Sequence, residues 1–226
     1  MFAINHAATA LIFKRRFPAV ALVPLLLAVQ AMEFAWVLLN YLGLEQTTTA
    51  PTVRYIGDVH LAHMPYSHSV LTAAAAAALV WAIGATLGHA RIGMVLGLAI
   101  LSHLILDLLT HNGDIALTPF ANSPKYGTFL YGHHPLVAFS VEMAFGLACW
   151  RIFRGGKALL AVIVIFNLAN LSLFVRAIPG PEDTMAGHPL RLVTVIFVQI
   201  VATLTLVGWG ARRSLRTRGR AGGAIP

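Results

Sequence analysis

The sequence predicts an all-α fold, a polytopic transmembrane helix bundle of six or seven membrane segments, and three observations carry that expectation. Of its 226 residues 58% are hydrophobic and only 11% charged, more apolar surface than a soluble domain of this size can bury. The apolar residues come in runs close to the roughly 20 residues that span hydrocarbon. The basic residues, which give a formal net charge of +8, sit in short clusters between those runs rather than spread over one surface, so the charge reads as membrane topology and not as a nucleic-acid footprint.

Three stretches, 69–88, 158–175 and 192–211, contain no Asp, Glu, Lys or Arg and are expected to span. Three more have spanning length but carry buried polar groups: 17–44 with Gln30 and Glu33, 92–110 with His103 and Asp107, and 135–150 with Glu142. Residues 1–13 are apolar apart from Asn5, His6 and Thr9 and are short for a crossing, so they form a seventh segment as a half-helix supported by its neighbours. A signal peptide would also place Lys14-Arg15-Arg16 before an apolar core and Val29-Gln30-Ala31 at a cleavage site, but the run continues through Trp36 to Leu44, which favours a retained helix. The chain is expected to be one integral membrane domain over 1–226. Within it, 1–154 form a core, 155–210 add spans and 211–226 form a basic cytoplasmic tail, disordered or resting on anionic headgroups. One cysteine, Cys149, rules out an internal disulfide framework.

Alternate connections differ sharply in basic content. One set holds Lys14, Arg15, Arg16, Arg91, Arg151, Arg154, Lys157, Arg212, Arg213, Arg216, Arg218 and Arg220; the other holds only Arg54, Lys125, Arg176 and Arg191. Lys and Arg accumulate in cytoplasmic loops, so the C-terminus is expected inside and the connections 45–68, 111–134 and 176–191 outside.

The ionisable residues converge in depth on this topology. Glu33 lies about 14 residues beyond the inner boundary near Ala19 and Asp107 about 14 beyond Gly93, each roughly 21 Å up at 1.5 Å per helical residue. His103 is one turn lower, His63 and His68 precede the outer start of the 69–88 helix, and His111 follows the outer end of the 92–110 helix. His6 falls roughly 12 Å above Lys14 if the first segment enters from outside. His103, Asp107 and His111, four residues apart, fall on one helical stripe, a spacing at which imidazole and carboxylate can hold one transition metal or bridge two. The same stripe would serve a metal-free hydrogen-bond network or a proton relay. His63 and His68 flank a loop-to-helix entry where Ser67 is a candidate cap, and Glu33 reads either as a ligand or as a paired core carboxylate.

Taken together, Asn5-His6-Ala7, an acidic residue in the first long span, the run from His63 through Met64-Pro65-Tyr66-Ser67 to His68-Ser69, the stripe from Leu101 to His111, and Asp114 through Pro119 resemble the YdjM-like family of bacterial inner-membrane proteins, described as metal-dependent hydrolases. The resemblance covers about the first two-thirds of the chain. Glu33 stands where the family usually has an aspartate, and its extra methylene shifts the oxygen. More distantly, the order of histidines and carboxylates is similar to that of zinc-dependent phospholipase C, an analogy about a site rather than a substrate.

The resemblance implies a bacterial inner-membrane protein with zinc held by His6, Glu33, His68, His103 and Asp107. His63 and His111 would complete or orient the shell, and Asp114 or Glu142 would act in the second shell or as general base. The expected reaction is hydrolysis of a phosphoester in a lipid or lipid-linked substrate at the outer face, with no nucleic-acid partner. A proton-coupled or metal transporter is the rival reading, although the inner half of the spans is nearly all aliphatic. A b-type cytochrome on His89 and His103 would leave the carboxylates unexplained. Asn167 and Asn170 read as interhelical hydrogen-bond partners, His133, His134 and His188 as interfacial or loop residues, and the pairs Gly84/Gly88 and Gly93/Gly97 as packing positions.

Overall fold

The computed structural model describes residues 1–222. In chain order it forms α1 (Ala3–Arg16), α2 (Leu22–Val29), α3 (Ala31–Tyr41), β1 (Gln46–Thr49), β2 (Val59–His63), α4 (Val70–Thr86), α5 (Ala90–Leu108), β3 (Ile115–Ala116), β4 (Lys125–Tyr126), α6 (Leu130–His133), α7 (Pro135–Phe153), α8 (Lys157–Ala169) and α9 (Pro189–Gly222). Helices dominate, and the strands make two short antiparallel ladders, β1 with β2 and β3 with β4.

Among the described residues three helices, α5, α7 and α9, are long and apolar enough to cross a membrane, and the pair α2 and α3 makes a fourth if its 50° bend is one broken span. This corrects the expected six or seven. Hydropathy registers the composition of a run, not the length of the helix that the run forms. The run 158–175 yields only the 13-residue α8, because the Asn170 side chain turns back onto Phe166 O at 2.7 Å and a 3-10 turn follows at Leu171–Leu173. The 17-residue α4 stops where Gly88, at φ +76°, turns the chain into α5. The run 17–44 breaks at Gln30, whose side chain donates to Ala3 O at 2.7 Å. The basic tail differs as well. Residues through Gly222 continue α9 as helix where disorder was an alternative, and 223–226 lie outside the described residues.

α1 occupies the centre of the bundle. Every residue from Ala3 to Leu11 is buried, and the helix packs against α2, α5, α7, α8 and α9. Four alanines among those nine residues let neighbouring helices approach closely, as small residues do between membrane helices. Large apolar side chains such as Leu79, Ile105, Leu136 and Val198 are exposed on the outside of the bundle, the surface lipid would cover.

α4 and α5 form a tight antiparallel hairpin. A Cβ on Gly97 would stand 2.8 Å from Ala77 O and one on Gly93 2.9 Å from Val80 O, so backbone meets backbone there and no larger side chain fits. The GxxxG spacing therefore serves packing within the chain, with Gly88 in the turn. The hairpin fixes the end of α5 beside the segment entering α4, where Ser69 accepts from Thr72 N at 3.2 Å as the cap. Gly97→Val is expected to destabilise the protein by about 1–3 kcal/mol through overpacking. An unchanged thermal midpoint in detergent would show that the close approach carries no such constraint.

Candidate metal centre

The i, i+4 geometry of α5 sets His103 and Asp107 on one face, and α1, α3 and the entry to α4 bring the other groups to it. One ligand-type atom each from His6, Glu33, His103 and Asp107 lies within 4.8 Å of the others. His103 Nε2 is 2.9 Å from Asp107 Oδ2 and 3.9 Å from Glu33 Oε1; His6 Nε2 is 3.1 Å from Asp107 Oδ1. His68 Nε2 comes to 3.7 Å from Asp107 Oδ2, and His111 Nε2 to 3.5 Å from Oδ1. Two atoms bound about 2.0–2.2 Å from one tetrahedral metal ion stand about 3.3–3.6 Å apart, so these separations suit ligands gathered around a common cation. The His6 and His103 rings stack with centroids 4.1 Å apart.

The polar atoms left over support the same reading. Among the described residues, His6 Nδ1, both nitrogens of His103 and Asp107 Oδ2 are buried without a hydrogen-bond partner. Leaving such groups unpaired is costly, and a cation coordinated by nitrogen and carboxylate oxygen would satisfy several at once. On the other side of the carboxylate, the Met1 backbone nitrogen lies 2.5 Å from Asp107 Oδ1.

The tautomer of His68 follows from a chain of hydrogen bonds. Glu45, buried beyond the end of α3, accepts from the backbone N–H of Tyr66 and of Ser67 at 2.8 Å each and from Ser67 Oγ–H at 2.6 Å. With its one hydroxyl proton committed, Ser67 Oγ accepts from His68 Nδ1–H at 2.8 Å. His68 Nε2 is left as a bare lone pair facing a carboxylate oxygen, an arrangement that becomes favourable with a cation between them. Burial holds the His68 pKa well below the ordinary histidine range, which keeps the ring in its neutral, ligating form. Its carbonyl accepts from Ala116 N at 2.9 Å, tying the segment to β3.

The model of the YdjM inner membrane protein family matches residues 8–178. The chain belongs to that family. The match runs past residue 154 and takes in α8, so the family-like region reaches further along the chain than the motifs alone indicate. No curated protein and no solved structure matches this YdjM-family chain, and the phospholipase C likeness gains no support.

The structure brings together His6, Glu33, His68, His103, Asp107 and His111, with Asp114 Oδ2 3.4 Å from His111 Nδ1. It separates two other residues. His63 is exposed on β2 opposite Gln46 and makes no hydrogen bond or ion pair to the cluster among the described residues. Glu142 faces the first turn of α1 instead, accepting from Phe2 N at 3.1 and 3.2 Å, from Asn5 Nδ2 and from the Tyr131 hydroxyl. Burial, with the adjacent Glu142 charge, pushes the Tyr131 pKa well above its usual value, so the phenol keeps the proton it donates.

Sequence reasoning missed Glu45, whose contact with Ser67 spans 22 residues and leaves no local spacing to read. It also assigned the cap to Ser67, which instead orients His68 while Ser69 caps the helix. A cavity of about 100 Å³ adjoins the centre, walled by Phe2, Ile56, Val59 and Ile196 and edged by His111, Asp114 and Tyr131. Ser67→Ala and Glu45→Gln are each expected to weaken metal affinity by about 10–100-fold, the usual cost of losing a partner that orients a ligand. Competition titration against a chelator checks this, and parental affinity in both variants would refute the orienting role.

Proposed function

We propose that this YdjM-family protein is a zinc-dependent hydrolase acting on a phosphoester of a lipid or lipid-linked substrate at the outer face of the bacterial inner membrane. The observation that carries the proposal is the convergence of His68 Nε2 and the buried, unpartnered His103 Nε2 on Asp107 Oδ2, itself buried without a hydrogen-bond partner. His6, Glu33, His68, His103 and Asp107 would hold the metal. That set is nitrogen-rich with carboxylate oxygen and no thiolate, chemistry suited to zinc in a hydrolytic site. Zinc supplies Lewis acidity toward phosphate esters and toward water.

The chain's own groups divide the remaining work. His111 stands between the cluster and the cavity, with Asp114 holding its Nδ1 side, and Asp114, at the cavity edge, would take a proton from water. The apolar wall of the cavity accommodates hydrocarbon beside the polar rim and limits water access. Glu142 serves as the anchor of α1, and so positions His6 indirectly. On the other side of the cluster the core continues with Ala7, Ala8, Leu11, Val95 and Ala99, apolar packing that favours a one-sided site over a transport route. The bias of twelve basic residues against four toward the connections at the opposite end of the bundle from the centre supports an orientation with that end in the cytoplasm.

Detergent-purified protein is expected to contain zinc, and a variant combining His103→Ala and Asp107→Asn to lose it. Phosphoester-lipid turnover should fall by more than about 100-fold in that variant. A folded parent that neither carries nor takes up metal would overturn the metal centre; metal binding without turnover of any phosphoester lipid would overturn the reaction alone.

A further inference from the structure

At the end of the bundle remote from the metal centre, α9 carries a second polar surface with different chemistry. Arg212, Arg213 and Arg216 edge a groove of about 620 Å³ between α9 and α2, whose apolar wall includes Val23, Leu27 and Trp209. We propose that this groove binds an anionic phospholipid, the arginines taking its phosphate and the apolar wall its upper acyl chain.

Charge supports that occupant. All eight carboxylates of the chain lie outside this region, in α3, α5, α7 and the loops at the other end, while Lys14, Arg15, Arg16, Arg151, Arg154 and Lys157 lie on the helix ends and turns that close this one. Among the described residues no Lys or Arg makes an ion pair with a carboxylate. Two basic side chains here are engaged by backbone carbonyls: Lys14 donates to Pro18 O and Val20 O, and Arg218 donates to Phe153 O at 2.6 Å and Arg154 O at 2.7 Å, closing α9 onto α7. By contrast, the Arg212, Arg213 and Arg216 side chains are exposed and make no hydrogen bond or ion pair among the described residues. A second recess of about 360 Å³ continues past Arg213 toward Arg154 and Lys157, extending the positive field.

The apolar side distinguishes a lipid from a free anion. Val23, Leu27 and Trp209 are 44%, 51% and 48% exposed, directly beside the arginines, with the Arg213 guanidinium 5.6 Å from the Trp209 ring centroid. Aromatic rings at this level match the headgroup zone, and a basic recess between helices is a physical match for an anionic headgroup. The groove is narrow at its base because Gly208 lets α2 come close: a Cβ there would stand 3.2 Å from Leu26 Cδ1.

The test uses the full chain, delipidated and then exposed to phosphatidylglycerol or phosphatidylcholine, with bound lipid counted by native mass spectrometry. Phosphatidylglycerol should be retained in preference, and the variant Arg212→Gln, Arg213→Gln, Arg216→Gln should lose that retention on the order of 100-fold, from about fivefold per arginine. Arg191→Gln, a charge removed from the far end of the same helix, should retain it. Leu27→Trp, which fills the apolar wall and leaves the charges intact, should lose retention while eluting as a folded species. Equal retention of the two lipids, or parental retention in the triple variant, overturns the site. Parental retention in Leu27→Trp, or full competition by glycerol phosphate at matched concentration, overturns the lipid in favour of a free anion.

Discussion

A carboxylate with no exposed surface among apolar helices must find compensation, and four histidines on three chain segments answer to Asp107. His103 reaches it from one turn earlier in α5 and His111 from one turn later. His6 brings in α1 and His68 brings in the entry to α4. A second buried carboxylate, Glu142, seizes the backbone at the start of α1 and the Asn5 side chain. The innermost helix is thus held by two acidic groups on two different neighbours, which is why a 14-residue helix with polar residues at its centre is stable inside the bundle. Its apolar run marks it as a segment supported by neighbours, and the two carboxylates fix where it sits.

What the sequence revealed of the site depended on how local each signal was. His103, Asp107 and His111 are legible because a spacing of four translates directly into one face of a helix. Glu33 is legible because a carboxylate inside an apolar run is expensive. His6 and His68 came within reach only by comparing depths along separate helices. Glu45 was illegible: in the segment Leu44-Glu45-Gln46-Thr47 it reads as a solvated loop residue, and only folding places it under Ser67. His63 was misleading for the converse reason. Its nearness to His68 in sequence brings it no bond to the cluster among the described residues, since it lies exposed on the β1–β2 ladder opposite Gln46.

The fold class was legible and the number of spans was not. Apolar composition marked each helix, yet the endings at Gln30, Gly88 and Asn170 are set by side-chain capping and backbone turns that a hydropathy window averages away. The shorter helices still matter to the centre. α4 holds the His68 segment against α5 through a backbone contact made possible by glycine, and α8 offers Asn167 Oδ1 to Asn5 Nδ2 at 3.0 Å. These shorter helices hold the candidate ligands in place.

α3 has a further consequence for how the centre behaves as a mechanical object. Glu33 in its first turn approaches the cluster directly, while Glu45, just beyond its last turn, governs His68 through Ser67. α3 and the turn that follows it therefore bring two carboxylates to the same cluster, downstream of the break at Gln30. A change in the tilt of α3 would shift Glu33 and, through Glu45 and Ser67, His68 as well. By linkage, a cation that drew those groups inward would also bias the angle between this helix and the one before it.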